Sequence, residues 1–315
     1  MNRSAVFLNT LEVTLPVFAM VFLGIGLKRI GWIDSAFITT ASALVFKATL
    51  PALIFLSIIR ADLDATFNPA LLLYFALATI ASFFLSWLWA SWRVPYADRG
   101  IYVQGAFRGN CGIVGIALAA SMYGDFGLSA GGLLLGVVIL CYNVSSVIVL
   151  AAYQPGKRAD WHEIFMHISR NPLILSVFFA VPFAWLGINL PDWLMTSGDY
   201  FASLTLPLAL ICIGGTLSIG ALRNEHATAL GSSLMKMVTI PVLATTVAWL
   251  FGFSGPELGL LFLFFASPTA AASFVMVKAM GGNAKLAANI IAITTLMASI
   301  TVTGGVFALR VGGLI

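Results

Sequence analysis

Apolar runs of about 20 residues follow one another along nearly the whole chain, separated by short polar connections. No other feature constrains the fold as tightly. Hydrocarbon offers a backbone no hydrogen bonds, so runs of this length resolve as helices that cross a bilayer. Ten are read, at about 10–28, 37–59, 69–91, 101–122, 128–152, 172–189, 200–221, 231–252, 256–279 and 286–310. Only 9% of the 315 residues are charged, against about 25% in a soluble domain. The expectation is an all-α polytopic membrane protein.

Several function classes fall away. The net charge is +4, but no Lys/Arg cluster exceeds two in a row, so no nucleic-acid partner is expected. Cys111, Cys141 and Cys212 lie far apart in apolar runs, which fits small buried side chains rather than a disulfide or metal set. No HExxH, Asp pair or Ser/His couple falls in the spans, so neither an enzyme nor a cofactor is expected. No Asp, Glu or His lies near a span centre, which removes an acidic-pair cation antiporter. The first apolar run ends in Lys28-Arg29 and is too long for a cleavable signal.

Charge sets the expected orientation. With the N-terminus outside, the inner loops hold Lys28, Arg29, Arg93, Arg99, Lys157, Arg158, Arg170, Arg223, Lys278 and Lys285. The outer loops hold Arg3, Arg60 and Arg310. Such a bias places both termini outside. The longest polar stretch, 154–171, is expected to be a cytoplasmic connection, with Trp161, Ile164, Phe165 and Ile168 at the spacing of an interfacial helix. It separates a first unit, 1–153, from a second, 172–315. The two units repeat. KATLPALIFLSI (47–58) aligns with SLTLPLALICIG (203–214), which matches Pro51 with Pro207. FRGNCGIVGIALAASMYGD (107–125) aligns with FASPTAAASFVMVKAMGGN (265–283). Five spans per repeat is odd, so the second copy sits inverted in the membrane.

Spans four and nine are flawed at matching places. Gly105, Gly109, Gly112 and Gly115 weaken the first, and Pro268 breaks the second. Taken singly, each break suits a proline kink or a glycine packing face. Taken as a pair, they point to a transporter site where two unwound helices cross and offer N–H groups to an anion. Arg108 lies about 10 Å into span four and Lys47 about 15 Å into span two. A central cation costs roughly 3 kcal/mol and so faces a cavity or snorkels to the surface. Lys236 lies near the inner end of span eight, where snorkelling is expected. The candidate substrate-binding set is Arg108, Asn110, Cys111, Gly112, Pro268, Thr269, Lys47, Thr49 and Asn143. Gly109, Gly115, Ser267, Pro51 and Pro207 are candidate crossover or hinge positions, and no metal ligand is expected.

Five stretches resemble the auxin efflux carrier family in its short bacterial form, within the wider bile acid and auxin carrier superfamily. They are ATLPALIF (48–55), GNCGIVGIAL with SMYGD (109–125), SRNPL (169–173), LTLPLALICIGGTLS (204–218) and SPTAAASFVMVKAMGGN (267–283). The resemblance implies ten helices in two inverted five-helix repeats, with helices four and nine broken and crossing at the substrate. It implies a scaffold of spans one, two, six and seven that pairs in a homodimer, and a transport unit of the rest. It also implies an organic-anion cargo, membrane lipid as a neighbour and the inner membrane of a bacterium. Gly109 stands where the plant pattern has Pro, and Ala117 where it has a second Pro. These departures, with Arg108, favour a small carboxylate over auxin. Coupling to Na⁺ or H⁺ stays open. A sodium symporter resembling the bile acid carriers and a ligand sensor on a transporter body are the rivals.

Overall fold

The structure, a computed structural model, describes residues 3–60, 67–153, 166, 169–188, 190–217 and 227–315. The expected interfacial helix in 154–171 falls largely outside them. Among the described residues the chain is helical, apart from one isolated antiparallel bridge, Gly109 with Thr269. Seven helices are long and apolar enough to cross a membrane. They are Ser4–Arg29, Ser35–Arg60, Pro69–Arg93, Cys111–Tyr153, Asp192–Thr216, Ala227–Leu250 and Ala284–Val311. Pro172–Trp185 and Gly255–Phe265 are shorter apolar helices. The protein is therefore a polytopic membrane protein by length and composition.

The helices are labelled in order. The first half holds α1 (Arg3–Arg29), α2 (Ser35–Leu44), α3 (Leu50–Arg60), α4 (Pro69–Arg93), α5 (Arg99–Phe107) and α6 (Ile116–Tyr153). The second holds α7 (Pro172–Trp185), α8 (Asp192–Ser203), α9 (Thr205–Thr216), α10 (Ala227–Leu234), α11 (Ile240–Leu250), α12 (Gly255–Phe265), α13 (Ala272–Ala279) and α14 (Ala284–Val311). Polar side chains cap several starts. Asp34, Asn68, Asn171 and Asn283 each accept from backbone N–H groups of the first turn.

Proline shapes the joints. Pro51 has no N–H for the Lys47 carbonyl and its ring would clash there. The chain widens into a π turn at Val45–Thr49, where the Leu50 N–H reaches back five residues to Val45. Pro241 repeats the device behind a π turn at Met235–Thr239, with the Ile240 N–H on Met235. Pro207 lies three residues into α9, and the helix is interrupted just before it at Leu204.

Gly124 makes the sharpest bend. Its φ of 56° and ψ of −132° lie where only glycine is comfortable. The chain folds back there: a Cβ on Gly127 would sit 2.0 Å from the Ala119 carbonyl oxygen, and one on Gly131 would meet Ile116. Residues 15 apart in a straight helix would stand about 22 Å apart.

Small residues let other helices approach. A Cβ on Gly214 would lie 1.9 Å from the Val21 carbonyl oxygen, and one on Gly24 would lie 2.2 Å from that of Ile211. Gly214 is thus part of a packing face between α1 and α9. Toward the amino end of α1, Thr14 Oγ1 lies 2.9 Å from Thr303 Oγ1 and the Phe7 and Phe307 rings stand edge to face at 5.7 Å. Ser121 donates to the Val13 carbonyl at 2.8 Å. Apolar side chains also cover the outside. Leu73, Leu77, Phe84 and Leu88 form an exposed stripe along α4. In water such a stripe is a liability, and in lipid it is the normal surface.

Candidate functional site

The two broken segments meet. The Asn110 N–H donates to the Pro268 carbonyl at 2.7 Å, and the Ala270 N–H donates to the Arg108 carbonyl at 3.0 Å. Thr269 adds two bonds: its N–H donates to Thr294 Oγ1 at 3.1 Å and its hydroxyl to the Gly105 carbonyl at 2.7 Å. The Asn110 carbonyl in turn takes the N–H groups of Ile113, Val114 and Gly115. Each break therefore supplies partners for the other, as a buried backbone requires. One expectation changes in consequence. The N–H groups of Asn110, Thr269 and Ala270 are used within the protein and are not held out to a ligand. Gly115 lies against the second break, since a Cβ there would stand 2.9 Å from Ser267 Oγ.

Beside this junction lies a cavity of about 1140 Å³. It runs from Arg108 at the break to Lys28, Ser35, Asn171, Leu217 and Met280 at the ends of helices and loops. Lys47 and Asn143 also line it. Its described lining holds three cations, Lys28, Lys47 and Arg108, and no Asp or Glu. The Lys28 ammonium donates to the Gly215 carbonyl at 2.6 Å. Lys47 is exposed and sits in the π turn before Pro51.

Arg108 is buried, with 8% of its surface exposed. Its guanidinium donates to Ser146 Oγ at 3.0 Å, Asn143 Oδ1 at 3.1 Å and the Tyr142 carbonyl at 3.4 Å, and lies 3.0 Å from Met276 Sδ. All these partners are neutral, and Nε has none. Among the described residues the single salt bridge is Arg60 with Asp199, far along the chain. Arg108 thus presents a full positive charge, pre-aimed by Asn143 and Ser146, at the inner end of a cavity without acids. A guanidinium in that state favours a carboxylate, which its planar fork matches.

The structure divides the residues singled out from the sequence. Arg108, Lys47 and Asn143 come together on the cavity wall. Asn110, Cys111, Gly112, Pro268 and Thr269 build the junction and do not line the cavity. Thr49 is fully buried behind it. Ser146, Met276 and Lys28 were not singled out as site residues; nothing in their spacing marks them, because the fold alone brings Met276 and Lys28 to the cavity and Ser146 to Arg108.

Lys236 is a correction. Snorkelling was expected, yet the side chain is fully buried and its ammonium donates to the Phe265 carbonyl at 2.9 Å. The reason is the break in α12, which leaves that carbonyl in need of a donor.

Membrane-length helices, paired helix breaks and a cationic cavity fit the class of polytopic membrane transport proteins. Residues 10–305 match the family described as "Membrane transport protein", and the chain belongs to it. This is the auxin efflux carrier family that the sequence motifs resemble. The chain is 27% identical, over a 317-residue alignment, to a protein of Rhizobium meliloti (strain 1021) named "Putative malonate transporter", covering 95% of this chain and 96% of that one. It is 25% identical over 285 residues to an "Uncharacterized transporter" of Methanothermobacter thermautotrophicus, covering 86% and 89%. It is 21% identical over 292 residues to "Uncharacterized transporter YfdV" of Escherichia coli (strain K12), covering 88% and 92%.

Proposed function

We propose that the protein is a secondary carrier of a small organic anion, a mono- or dicarboxylate, working by alternating access. One observation carries this reading: Arg108 is buried among neutral partners at the end of a cavity whose described lining holds three cations and no carboxylate. A charge inside the membrane faces a cavity or a partner, and a charged side chain on a cavity wall marks a candidate substrate pathway. The malonate named for one relative is of the same chemical class.

In this reading Arg108 grips a carboxylate, Asn143 holds both the guanidinium and the cargo, and Lys47 adds long-range attraction. Asn110, Cys111, Gly112, Pro268 and Thr269 set the shape of the junction, with Gly109, Gly115 and Ser267 packed at its core. Ten spans are counted when α5 with the segment up to Gly124 forms the fourth and α12 with α13 the ninth. These two cross at the Gly109–Thr269 bridge, as halves of inverted repeats at 1–153 and 172–315. The positive-inside bias puts both termini outside the bacterial inner membrane. Lys28, Ser35, Asn171 and Met280 then mark the cytoplasmic mouth of an inward-facing cavity. Pro51 and Pro207 lie in the corresponding spans two and seven of a scaffold that pairs with a second copy.

The test uses purified protein. A thermal-shift screen of organic acids is expected to find carboxylates that stabilise it, and proteoliposomes are expected to accumulate those acids. Arg108→Gln removes charge-assisted bonds of the strong kind, and is expected to cut carboxylate flux roughly 10- to 100-fold with the fold intact. Uptake unchanged in that variant sinks the assignment of Arg108.

A further inference from the structure

Lys236 is the buried charge that the cavity does not use. It is absent from the cavity lining and lies on the far side of the junction, with no exposed surface. Its ammonium bonds to the carbonyl of Phe265, the last residue of α12. In an unbroken helix that carbonyl would take the N–H of Thr269, four residues on. The Thr269 N–H is instead committed to Thr294, and the neighbouring Pro268 has no N–H to offer Phe264. The Phe264 carbonyl takes the Ser267 N–H and the Cys111 thiol, each at 3.4 Å. The α12 C-terminus is therefore a cluster of carbonyls carrying the negative end of the helix dipole, buried in the protein.

Other groups close the site. A Cβ on Gly109 would stand 3.0 Å from the Lys236 ammonium, 3.2 Å from the Tyr142 hydroxyl and 3.3 Å from Cys111 Sγ. Glycine at 109 thus leaves the space in which these three atoms gather. The π turn before Pro241 carries Lys236 into that space. Carbonyls at half-helix C-terminal ends, with a hydroxyl nearby, are what carriers with broken helices use to hold Na⁺. Here a side chain of the protein fills that role.

We propose that the Lys236 ammonium is a tethered cation at the paired breaks, holding the partners of a coupling Na⁺, so that this carrier binds its anion without one. The cation-bearing group at the junction is then covalently tethered. It neither arrives nor leaves with an ion gradient. The functional half of this inference rests on the transport reading above; the structural half is read without any anion.

The experiment compares wild type, Lys236→Ala and Lys236→Met in NaCl, KCl, ammonium chloride and choline chloride at equal ionic strength. Wild type is expected to melt at the same temperature, and to bind its carboxylate equally, in all four salts. Lys236→Ala leaves a carbonyl-lined space without its charge. Its melting temperature is expected to rise in a dose-dependent way with Na⁺ or ammonium, by roughly 2 °C or more over choline. Lys236→Met fills the space and is expected to show no such rise. A Na⁺ requirement of the wild type overturns the inference, and so does a Lys236→Ala protein indifferent to all cations. If Lys236→Ala yields no folded protein, Lys236→Gln is measured instead, since it keeps an N–H for Phe265 without charge. In the Lys236→Gln protein, carboxylate binding weaker than that of the wild type in every salt supports the tethered cation, and binding as tight as that of the wild type overturns it. If no organic acid stabilises wild type, the transport reading fails alone, because the cation response is read from melting.

Discussion

Among the described residues two basic side chains are buried without a carboxylate in contact, and their surroundings differ. Arg108 faces the cavity, and Lys236 faces the carbonyls of a broken helix. Lys47 is a third case: exposed, on the cavity wall, and free to act at range. In the proposed function its attraction for a cargo would be screened by salt, as that of the buried Arg108 would not. Lys47→Gln is therefore expected to weaken carboxylate binding only about 2- to 10-fold at low salt, with the difference shrinking toward 1 M salt. Calorimetric titration across that range checks it; a loss independent of salt refutes the long-range role. Arg108 was legible in the sequence because it stands next to Gly109 and Asn110, where a helix fails. Lys236 was not, because depth counted from a span end says nothing about a carbonyl 29 residues away. The usable signal was Pro241 five residues on, which repeats the placing of Pro51 four residues after Lys47.

At the scale of elements, glycine and proline do separate work. Proline opens π turns at Val45–Thr49 and Met235–Thr239, and glycine sets how close helices come. Gly214 and Gly26 make a direct comparison. A Cβ on Gly214 would strike the Val21 carbonyl, whereas one on Gly26 meets nothing within 4 Å. Gly214→Leu is expected to destabilise the protein by about 3 kcal/mol or more, since helix backbones must part. Gly26→Leu is expected to stay within about 0.5 kcal/mol. Melting curves in detergent decide; equal effects of the two mean that α1 and α9 do not pack through Gly214. The breaks themselves were readable from Gly109, Asn110 and Pro268. Their mutual bonding was not. The partners Asn110 and Pro268, or Thr269 and Gly105, stand some 160 residues apart, and only the assembled fold supplies each with the other's donor.

At the scale of the whole molecule, the cavity lies toward the Lys28 end of α1, and the contacts that tie α1 to α14 lie toward the other end. Alternating access needs that second set to part. With cysteines at Thr14 and Thr303, whose hydroxyl oxygens are 2.9 Å apart, oxidation is expected to stop carboxylate flux while leaving binding from the cavity side unchanged. Reduction is expected to restore flux. Flux that persists through a completed cross-link, shown by gel mobility, excludes separation of these helices as the transport step. The polytopic, all-helical character was legible because hydropathy reports burial in lipid directly. The turn between the runs at about 101–122 and 128–152 was legible as well, because Gly124 and Asp125 interrupt the apolar sequence there. By length and composition alone, residues 111–153 would pass for one apolar helix of 43 residues. Drawn straight, it would be about 65 Å long, twice the thickness of a bilayer's hydrocarbon. The fold-back at Gly124 divides it into 111–124 and 125–153, which run back along one another. Whichever side the N-terminus takes, the parity of every later segment depends on that one reversal. A residue with a side chain at 124 would have to hold the same strained backbone, or send the second half of the protein through the membrane upside down.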